Sequence, residues 1–208
     1  MPDEIGLFEA LYTQRAIRAF KPDPVPDELI HKLIESATKA PSGSNWQDWK
    51  FLVIRDPELK RRIGEYYRRA GEELQARRAA RLQAAAPPMR ASAANMAEHM
   101  HEVPVLILAC IVHSGSPTRM ERGASIYPAV QNLLLAARGL GLGSVITTIH
   151  KRYEEEIKAL LGIPENVETA ALLPVGYLAS GARYGPTRRN PVEEVTFLDS
   201  WGNQGKLR

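Results

Sequence analysis

An uncharged apolar run, Val105–Val112, constrains the fold more than any other part of the chain. It reads Val-Leu-Ile-Leu-Ala-Cys-Ile-Val. A strand with one face in water alternates apolar and polar residues, so a continuous apolar run of strand length predicts a strand buried on both faces. The fold must therefore place other elements on both sides of its sheet.

The remaining segments predict strands and helices in irregular alternation. Further strands are predicted at 50–55, 144–149, 169–176 and 192–198, and helices at 5–12, 26–40, 91–101, 124–138 and 153–161 and from Pro57 onward. About five strands mixed with helices indicate an α+β domain with a mixed sheet flanked by helices. The length of 208 residues favours one domain, 1–208.

The helix after Asp56 begins with clear local signals and carries an unusual charge pattern. Asp56 can cap it, Pro57 suits its first position, and many arginines follow on residues 60–86. Such a basic run is most often a solvated helix face, and a mobile lid that attracts an anionic substrate is the alternative.

Two features of the stretch 13–49 indicate a binding site. Arg15 and Arg18 are cations three residues apart, which would share one face if the backbone turned helically there. The turn around Ser42, Gly43 and Asn45 is rich in small polar residues, so its backbone N–H groups can approach a flat or anionic ligand closely.

Composition and charge narrow the function classes. The net charge of +3 comes without a basic stripe interleaved with aromatic residues, which argues against nucleic-acid binding. Cys110, the single cysteine, lies inside the apolar run and is expected to be an inert buried thiol. The histidines near that run lack acids or thiols at ligand spacing, so no metal site is predicted. The start of the chain resembles no signal peptide and no apolar run is long enough to span a membrane, so we expect a cytoplasmic protein.

The glycine-rich segment Gly139-Leu-Gly141-Leu-Gly143 superficially matches a dinucleotide-binding loop. Such a loop follows a strand and opens a helix, whereas this one follows a predicted helix and opens a predicted strand. It is better interpreted as a helix C-cap followed by a tight turn.

Taken together, these motifs resemble those of the FMN-dependent nitroreductase family. Arg15 and Arg18 match the family's first motif, with Ala16 standing where the family has serine. The other matching residues are Lys21-Pro22-Asp23, Val25-Pro26, Ala40-Pro41-Ser42, Asn45, Gln47, Trp49, Gln131–Ala137, Gly141-Leu142-Gly143, Leu173–Tyr177 and Arg188–Pro191. Two further departures from the family pattern are Gln14, in place of an arginine, and Asp48, in place of a proline.

The resemblance implies an intertwined homodimer that binds FMN at two sites shared between its subunits. It implies that Arg15, Arg188 and Arg189 hold the flavin phosphate, and that Arg18, beside Ala16, lies near N1 and the C2 carbonyl of the flavin ring. It further implies that Ser42, Gly43 and Asn45 come from the partner subunit. Thr147 and Thr148 match the segment that faces flavin N5, and the C-terminal segment 190–208 is expected to extend onto the partner.

The activity implied by the resemblance is electron transfer from NAD(P)H to a nitroaromatic, a quinone or a similar small acceptor by a ping-pong mechanism. Because the flavin carries the redox chemistry, no residue of the chain is assigned as catalytic. Two alternatives stay open: a reductive dehalogenase related to iodotyrosine deiodinase, and a flavin-binding or flavin-processing protein without nitroreductase turnover.

Overall fold

A computed structural model describes residues 5–79, 87–113 and 119–204, and a four-stranded sheet forms its centre. The strands are β1 (Trp49–Ile54), β2 (Val105–Val112), β3 (Leu142–Ser144) and β4 (Val167–Tyr177). They lie in the order β1-β2-β4-β3, and every neighbouring pair is antiparallel. The α+β architecture is confirmed. The prediction of a mixed sheet of about five strands was wrong, because parallel pairing within the described residues is limited to an isolated bridge between Ala16 and Ser144.

Helices cover both faces of this sheet. They are α1 (Leu7–Thr13), α2 (Asp27–Ala37), α3 (Pro57–Ala79), α4 (Pro87–Glu98), α5 (Arg119–Gly139) and α6 (Glu154–Leu161). Buried residues of α2 and α5 pack with one face of the sheet, and those of α3, α4 and α6 pack with the other face. The result is a three-layer domain with two hydrophobic cores.

Strand β2 joins the two cores. Val105, Ile107, Ala109 and Ile111 belong to the core on the α2 and α5 side, whereas Leu106, Leu108 and Cys110 belong to the opposite core. Successive side chains of a strand point to opposite faces, so both sets are apolar because both faces are covered. This confirms the prediction that opened the sequence analysis. Burial also raises the pKa of the Cys110 thiol to about 12, as expected for an inert cysteine.

Local signals in the sequence fix several element boundaries. The Asp56 carboxylate accepts a hydrogen bond from the Leu59 backbone N–H at 2.8 Å, so it caps α3 as predicted. Helix α6 ends at Leu161 and is followed by Gly162, whose φ of 65° is the left-handed conformation that glycine adopts without strain. Helix α5 begins at Arg119 rather than at Ala124, so Pro128 lies inside the helix instead of in its first turns.

The predicted strand at 192–198 is wrong. The chain there forms a short 3₁₀ helix, Val192–Glu194, and both Val192 and Val195 are exposed. Alternating apolar residues form a strand only beside another strand, and the described part of the chain brings no strand edge to this segment. The predicted bounds 144–149 are also wrong: β3 spans Leu142–Ser144, and of the residues that follow it up to 149 only Thr147 forms an isolated bridge, to Leu172.

The segment that carries Arg15 and Arg18 is extended rather than helical. The Ile17 N–H donates to the Ser144 carbonyl at 3.1 Å, and the Lys21 N–H donates to the Tyr177 carbonyl at 2.8 Å. Close approach to β3 depends on Gly143, because a Cβ atom there would lie 2.5 Å from Ile17 Cγ2. The segment therefore follows the β3 edge of the sheet, and Arg15 and Arg18 flank the residues that are bound to Ser144.

None of the helices in the described ranges combines the length and the apolarity needed to cross a membrane.

Candidate functional site

An apolar cavity of about 660 Å³ lies on the side of the sheet covered by α3 and α4. Its walls come from the middle of α3, from α4 and from the segment that follows β3. The polar lining residues are Arg18, Tyr67, Gln75, Thr147 and Thr148. Alanine, glycine, leucine, isoleucine and valine side chains make up most of the rest, so the cavity suits a flat, largely apolar ligand.

A second, cationic cavity of about 390 Å³ lies next to the first. Arg15, Ala16 and Arg18 form one wall, and the loop after β4, with Ser180, Gly181 and Arg183, forms another. Several guanidinium groups at one cavity are the chemistry that binds phosphate. Arg183 was not among the predicted site residues, although it lies only six residues after the end of β4 at Tyr177.

Arg18 connects these spaces. It lines the apolar cavity, the cationic cavity and a smaller one of about 190 Å³ beside Asn95 and His99. Its Nη1 lies 3.5 Å from the Ala16 carbonyl oxygen, a long contact that leaves most of the guanidinium free to meet a ligand. A fixed positive charge therefore stands where the apolar cavity meets the cationic cavity.

The two adjacent threonines differ in what they can offer a ligand. Both the N–H and the hydroxyl of Thr147 donate to the Leu172 carbonyl, at 3.2 and 3.0 Å. Thr147 is buried, whereas Thr148 is exposed and lines the same cavity. The donors of Thr147 thus hold the segment to β4, and those of Thr148 are left for a ligand.

Tyr67 adds a polar group that sequence reasoning did not single out. Its side chain on α3 is 3% exposed and lines the apolar cavity together with Thr147 and Arg18. Burial raises the pKa of the Tyr67 phenol, while the Thr147 hydroxyl and the Arg18 charge act in the opposite direction. A neutral phenol therefore stands beside Arg18 at neutral pH.

A buried polar network supports the turn that carries Thr148. His150 is fully buried, and its Nε2 lies 3.1 Å from Thr169 Oγ1, which donates in turn to Glu154 at 2.8 Å. The Lys151 ammonium donates to Glu168 at 3.1 Å and to the Thr169 carbonyl at 2.6 Å. Burial, together with the Lys151 charge, lowers the pKa of His150 to about 4. The periodicity of apolar residues in the sequence does not reveal this network, because its members come from a 3₁₀ helix (Ile149–Tyr153), from α6 and from β4.

The small-residue turn lies elsewhere on the chain. Ser42, Gly43 and Asn45 belong to a 3₁₀ segment that packs on α5, where the Gly43 N–H donates to Ser125 Oγ at 3.2 Å. Asn45 has a positive φ of 56°, an uncommon conformation for a residue with a side chain. None of the three lines the cavities described above, so a single chain does not bring this turn to Arg18.

Arg188 and Arg189 also lie outside these cavities. Both are exposed, and Arg189 Nη1 donates to the Arg188 carbonyl at 2.9 Å. In one chain, Arg183 rather than this pair accompanies Arg15. Within the described residues, no three side chains of His, Cys, Asp or Glu are grouped closely enough to hold a metal ion.

The basic face of α3 is neutralised in part by acids of the same helix. Arg61 donates to Glu58 at 2.8 Å and also pairs with Glu65, and Arg68 pairs with Glu72 one turn away. These exposed pairs fit the solvated face predicted from sequence. The inner side of α3 forms a wall of the apolar cavity, and residues 80–86 of the segment proposed as a lid lie outside the described residues.

Comparison with known proteins identifies the family. The model of the nitroreductase family matches residues 11–177. The chain belongs to the nitroreductase family. Both the motif-based resemblance and the α+β class are thereby confirmed, and the matched region spans the Arg15–Arg18 segment, the sheet and the apolar cavity.

Individual members of the nitroreductase family differ in their stated activities. An Archaeoglobus fulgidus protein named as an NADH dehydrogenase/NAD(P)H nitroreductase is 33% identical over 170 residues, which is 80% of this chain and 82% of that protein. Iodotyrosine deiodinase 1 of Rattus norvegicus is 30% identical over 195 residues, 90% of this chain and 67% of that protein. A solved structure of oxidized iodotyrosine deiodinase bound to FMN and 3-iodo-L-tyrosine superposes with a TM-score of 0.71 at 26% identity, covering 94% of this chain and 99% of that chain.

Proposed function

We propose that this nitroreductase-family protein is an FMN-dependent oxidoreductase that passes electrons from NAD(P)H to a small aromatic or quinone-like acceptor. The observation that carries the proposal is the position of Arg18, which stands where an apolar cavity of about 660 Å³ meets a cationic cavity of about 390 Å³. FMN has a flat aromatic ring system and a terminal phosphate, so its two ends need these two environments side by side.

Particular residues would hold FMN. Arg15 and Arg183 supply positive charge for the phosphate, and Arg188 and Arg189 remain candidates through the family motif. Arg18, beside Ala16, faces the ring, where its charge stabilises negative charge on the pyrimidine edge. When bound, FMN supplies the capacity to accept a hydride from a nicotinamide and to return electrons to an acceptor.

Thr148 is the threonine best placed to donate a hydrogen bond to the ring. Thr147 uses its N–H and its hydroxyl on the Leu172 carbonyl, so its role is to position its neighbour. The apolar walls formed by α3 and α4 exclude water from the face where a donor or an acceptor would stack. No residue of the chain needs to act as nucleophile or base.

The complete site is proposed to require two subunits. Ser42, Gly43 and Asn45 lie away from the cavities of their own chain, and they belong to a motif that the family resemblance assigns to the partner's site. Exposed apolar residues on several segments support association, among them Phe8, Tyr12, Trp46 and Trp201. We propose a homodimer in which segment 190–208 extends over the surface of the partner subunit.

The experiment starts with the absorbance spectrum of the purified protein. We expect a flavin spectrum, bleaching of that spectrum by NADH or NADPH without oxygen, and its recovery on addition of a nitroaromatic or a quinone. A protein that is colourless and that does not bind added FMN would refute the proposal. A flavin spectrum that neither nicotinamide bleaches would instead support a flavin-binding or flavin-processing role without turnover.

Reductive dehalogenation is the second candidate, and the iodotyrosine deiodinase relatives favour it. Binding the ammonium and carboxylate groups of a halotyrosine requires both an anionic and a cationic side chain. Among the described residues, the lining of the apolar cavity offers Arg18 but no lysine, aspartate or glutamate. We therefore expect turnover of nitrofurazone with NADPH and no turnover of 3-iodotyrosine with dithionite, and the reverse result would establish the second candidate.

A further inference from the structure

Arg138, in the last turn of α5, contacts two segments that are far apart in sequence. Its Nε donates to Thr13 Oγ1 at 2.8 Å, and its Nη2 donates to Glu9 at 3.0 Å. Its guanidinium carbon lies 4.2 Å from the centre of the Tyr184 ring, a cation–π contact. The side chain is only 13% exposed, so these contacts are partly shielded from water.

The two segments that Arg138 contacts lead directly into the two walls of the cationic cavity. Thr13 ends α1, two residues before Arg15, and Tyr184 follows Arg183. The segments are also joined to each other, because the Gly185 N–H donates to the Thr13 carbonyl at 2.9 Å. Arg138 contacts the first segment at Thr13 and the second at Tyr184, so together with this backbone hydrogen bond it helps to set the distance between the walls.

Helix α5 provides a rigid base for this arrangement. Leu133, Leu134 and Ala137 of the same helix are buried in the core beside the sheet. A cation in the last turn of a helix also interacts favourably with the negative end of the helix dipole. The backbone of Arg138 is thus held in α5, and its side chain is held by Thr13, Glu9 and Tyr184.

Arg138 acts on the cavity through its neighbours. The described residues that line the cationic cavity do not include it, and its donors are directed at Thr13 and Glu9. Tyr184 contributes its ring face alone, since its buried hydroxyl has no hydrogen-bond partner. Burial raises the pKa of Tyr184 to about 12, so the ring stays neutral.

We propose that Arg138 is a positioning residue that fixes the spacing of Arg15 and Arg183 and thereby sets the affinity of the cationic cavity for a phosphate group. This inference rests on the proposed function for the identity of the natural ligand, FMN. It assigns to Arg138, outside the matched motifs, a role in recognition of the phosphate end alone.

Paired measurements with FMN and riboflavin test the proposal, because the two flavins differ only in the phosphate. Arg138→Met keeps an apolar stem but removes the charge and the donors. We expect it to weaken FMN binding about tenfold and to change riboflavin binding less than about twofold, since charge-assisted phosphate contacts depend on geometry. Equal weakening for both flavins, or no change for either, would overturn the proposal.

Two substitutions of Tyr184 give the same answer if Arg138→Met fails to fold. Tyr184→Leu removes the ring that holds the guanidinium, and we expect selective loss of FMN affinity. Tyr184→Phe removes only the unpartnered hydroxyl and should leave the affinity for both flavins unchanged. Identical behaviour of the two variants would contradict the role assigned to the ring.

Arg122→Met is the matched control. Arg122 lies on the same helix, is 14% exposed, and pairs with Glu168 at 3.1 Å away from the cationic cavity. Its loss should leave the ratio of FMN to riboflavin affinity unchanged. A change in that ratio equal to the one caused by Arg138→Met would show a general effect of removing an arginine from α5.

Inorganic phosphate separates this inference from the proposed function. At constant ionic strength, phosphate should raise the unfolding temperature of the unaltered protein more than that of Arg138→Met. If neither flavin binds but this difference is seen, the flavin proposal fails and the role of Arg138 stands. If phosphate stabilises both proteins equally, the role of Arg138 is refuted even when FMN binds.

Discussion

Arg18 shows how much chemistry can depend on a single side chain in this fold. It lines the apolar and cationic cavities at once, so its charge acts on a ligand that occupies both. Thr147 and Thr148, although adjacent, have different roles because the Leu172 carbonyl takes both donors of Thr147. At the residue scale, function follows from which polar groups are already satisfied within the protein.

Replacing Arg18 with alanine should separate reactivity from binding. We expect the rate of flavin reduction by NADPH to fall by about 10²-fold, the scale of removing one preorganised electrostatic stabiliser, with a smaller loss of FMN affinity. Anaerobic stopped-flow absorbance and an FMN titration measure the two effects. Equal losses in the reduction rate and in FMN affinity would mean that Arg18 serves only to anchor FMN. Arg55→Ala, which removes a pair with Asp27 at the end of β1, is the control.

His150 should make stability depend on pH. Its folded pKa, about 4, lies below its ordinary value of 6.5, so protonation favours the unfolded chain. The contribution of neutral His150 to the free energy of unfolding is therefore complete above about pH 6.5. As the pH falls towards 4, this contribution decreases, by at most about 3 kcal/mol. Urea unfolding at pH 7 and pH 5 should show this loss.

His150→Gln keeps a hydrogen-bond donor for Thr169. In this variant the free energy of unfolding should change less between pH 6.5 and 5 than in the unaltered protein. His31→Gln, which removes an exposed histidine, should leave the dependence as it is. Burial is the largest single influence on the pKa values of Glu154 and Glu168 and raises them, but hydrogen bonds and the charge of Lys151 together outweigh it, so both pKa values are lowered. These two carboxylates therefore lose their contribution to stability only at lower pH. An unchanged slope in His150→Gln would show that another group causes the dependence.

At the scale of elements, the contact between β3 and the Arg15–Arg18 segment controls the site. Ile17 packs directly over Gly143, and the Ile17 N–H donates to the Ser144 carbonyl. The glycine-rich stretch 139–143 therefore serves two needs. Gly141 has a φ of 75° in the turn after α5, and Gly143 leaves room for the neighbouring segment.

Gly143→Ala should disturb both stability and the site. Its new Cβ atom would lie 2.5 Å from Ile17 Cγ2, so the segment must move. We expect a loss of about 1–3 kcal/mol in the free energy of unfolding, as for other overpacked positions, with weaker FMN binding because Arg15 and Arg18 move as well. Thermal unfolding and FMN titration test this.

Adding Ile17→Ala to Gly143→Ala should recover part of the loss, since the closest clashing atom is removed. Gly6→Ala is the comparison, because a Cβ atom at Gly6 would meet nothing within 4 Å. Additive effects of the Gly143 and Ile17 substitutions would show that the two residues do not interact.

At the scale of the whole molecule, exposed apolar surface remains on several separate segments. Phe8 and Tyr12 on α1, Met120 on α5, and Trp201, which is 93% exposed, all present large side chains to solvent. The rings of Phe197 and Trp201 are in tilted contact, with centres 4.9 Å apart and planes 48° apart, so the C-terminal segment carries a preformed aromatic pair. Such surface supports the proposed assembly of two chains.

We predict that the protein elutes as a dimer in size-exclusion chromatography with light scattering. Trp201→Asp should weaken the dimer and, with it, FMN binding, because Ser42, Gly43 and Asn45 are proposed to act on the partner's cofactor. Lys39→Asp, an exposed substitution on the chain after α2, is the control. Full FMN binding by a monomeric variant would contradict a shared site.

The sequence predicted the parts of this protein that depend on local or periodic signals. The uncharged run 105–112 determined a strand covered on both faces, Asp56 and Gly162 determined helix ends, and linked motifs identified the nitroreductase family. These signals act between neighbouring residues or through simple burial, so they are visible without coordinates.

Only the tertiary structure decided which residues meet. It brought Arg183 rather than Arg188 to Arg15, occupied the donors of Thr147 and buried His150 in a polar network. Among the residues that the structure describes, it also placed no strand beside 192–198. Each of these outcomes depends on contacts between segments distant in sequence, such as Arg138 with Thr13. Local propensity carries no information about such contacts, because their geometry is set by the packing of helices on the sheet.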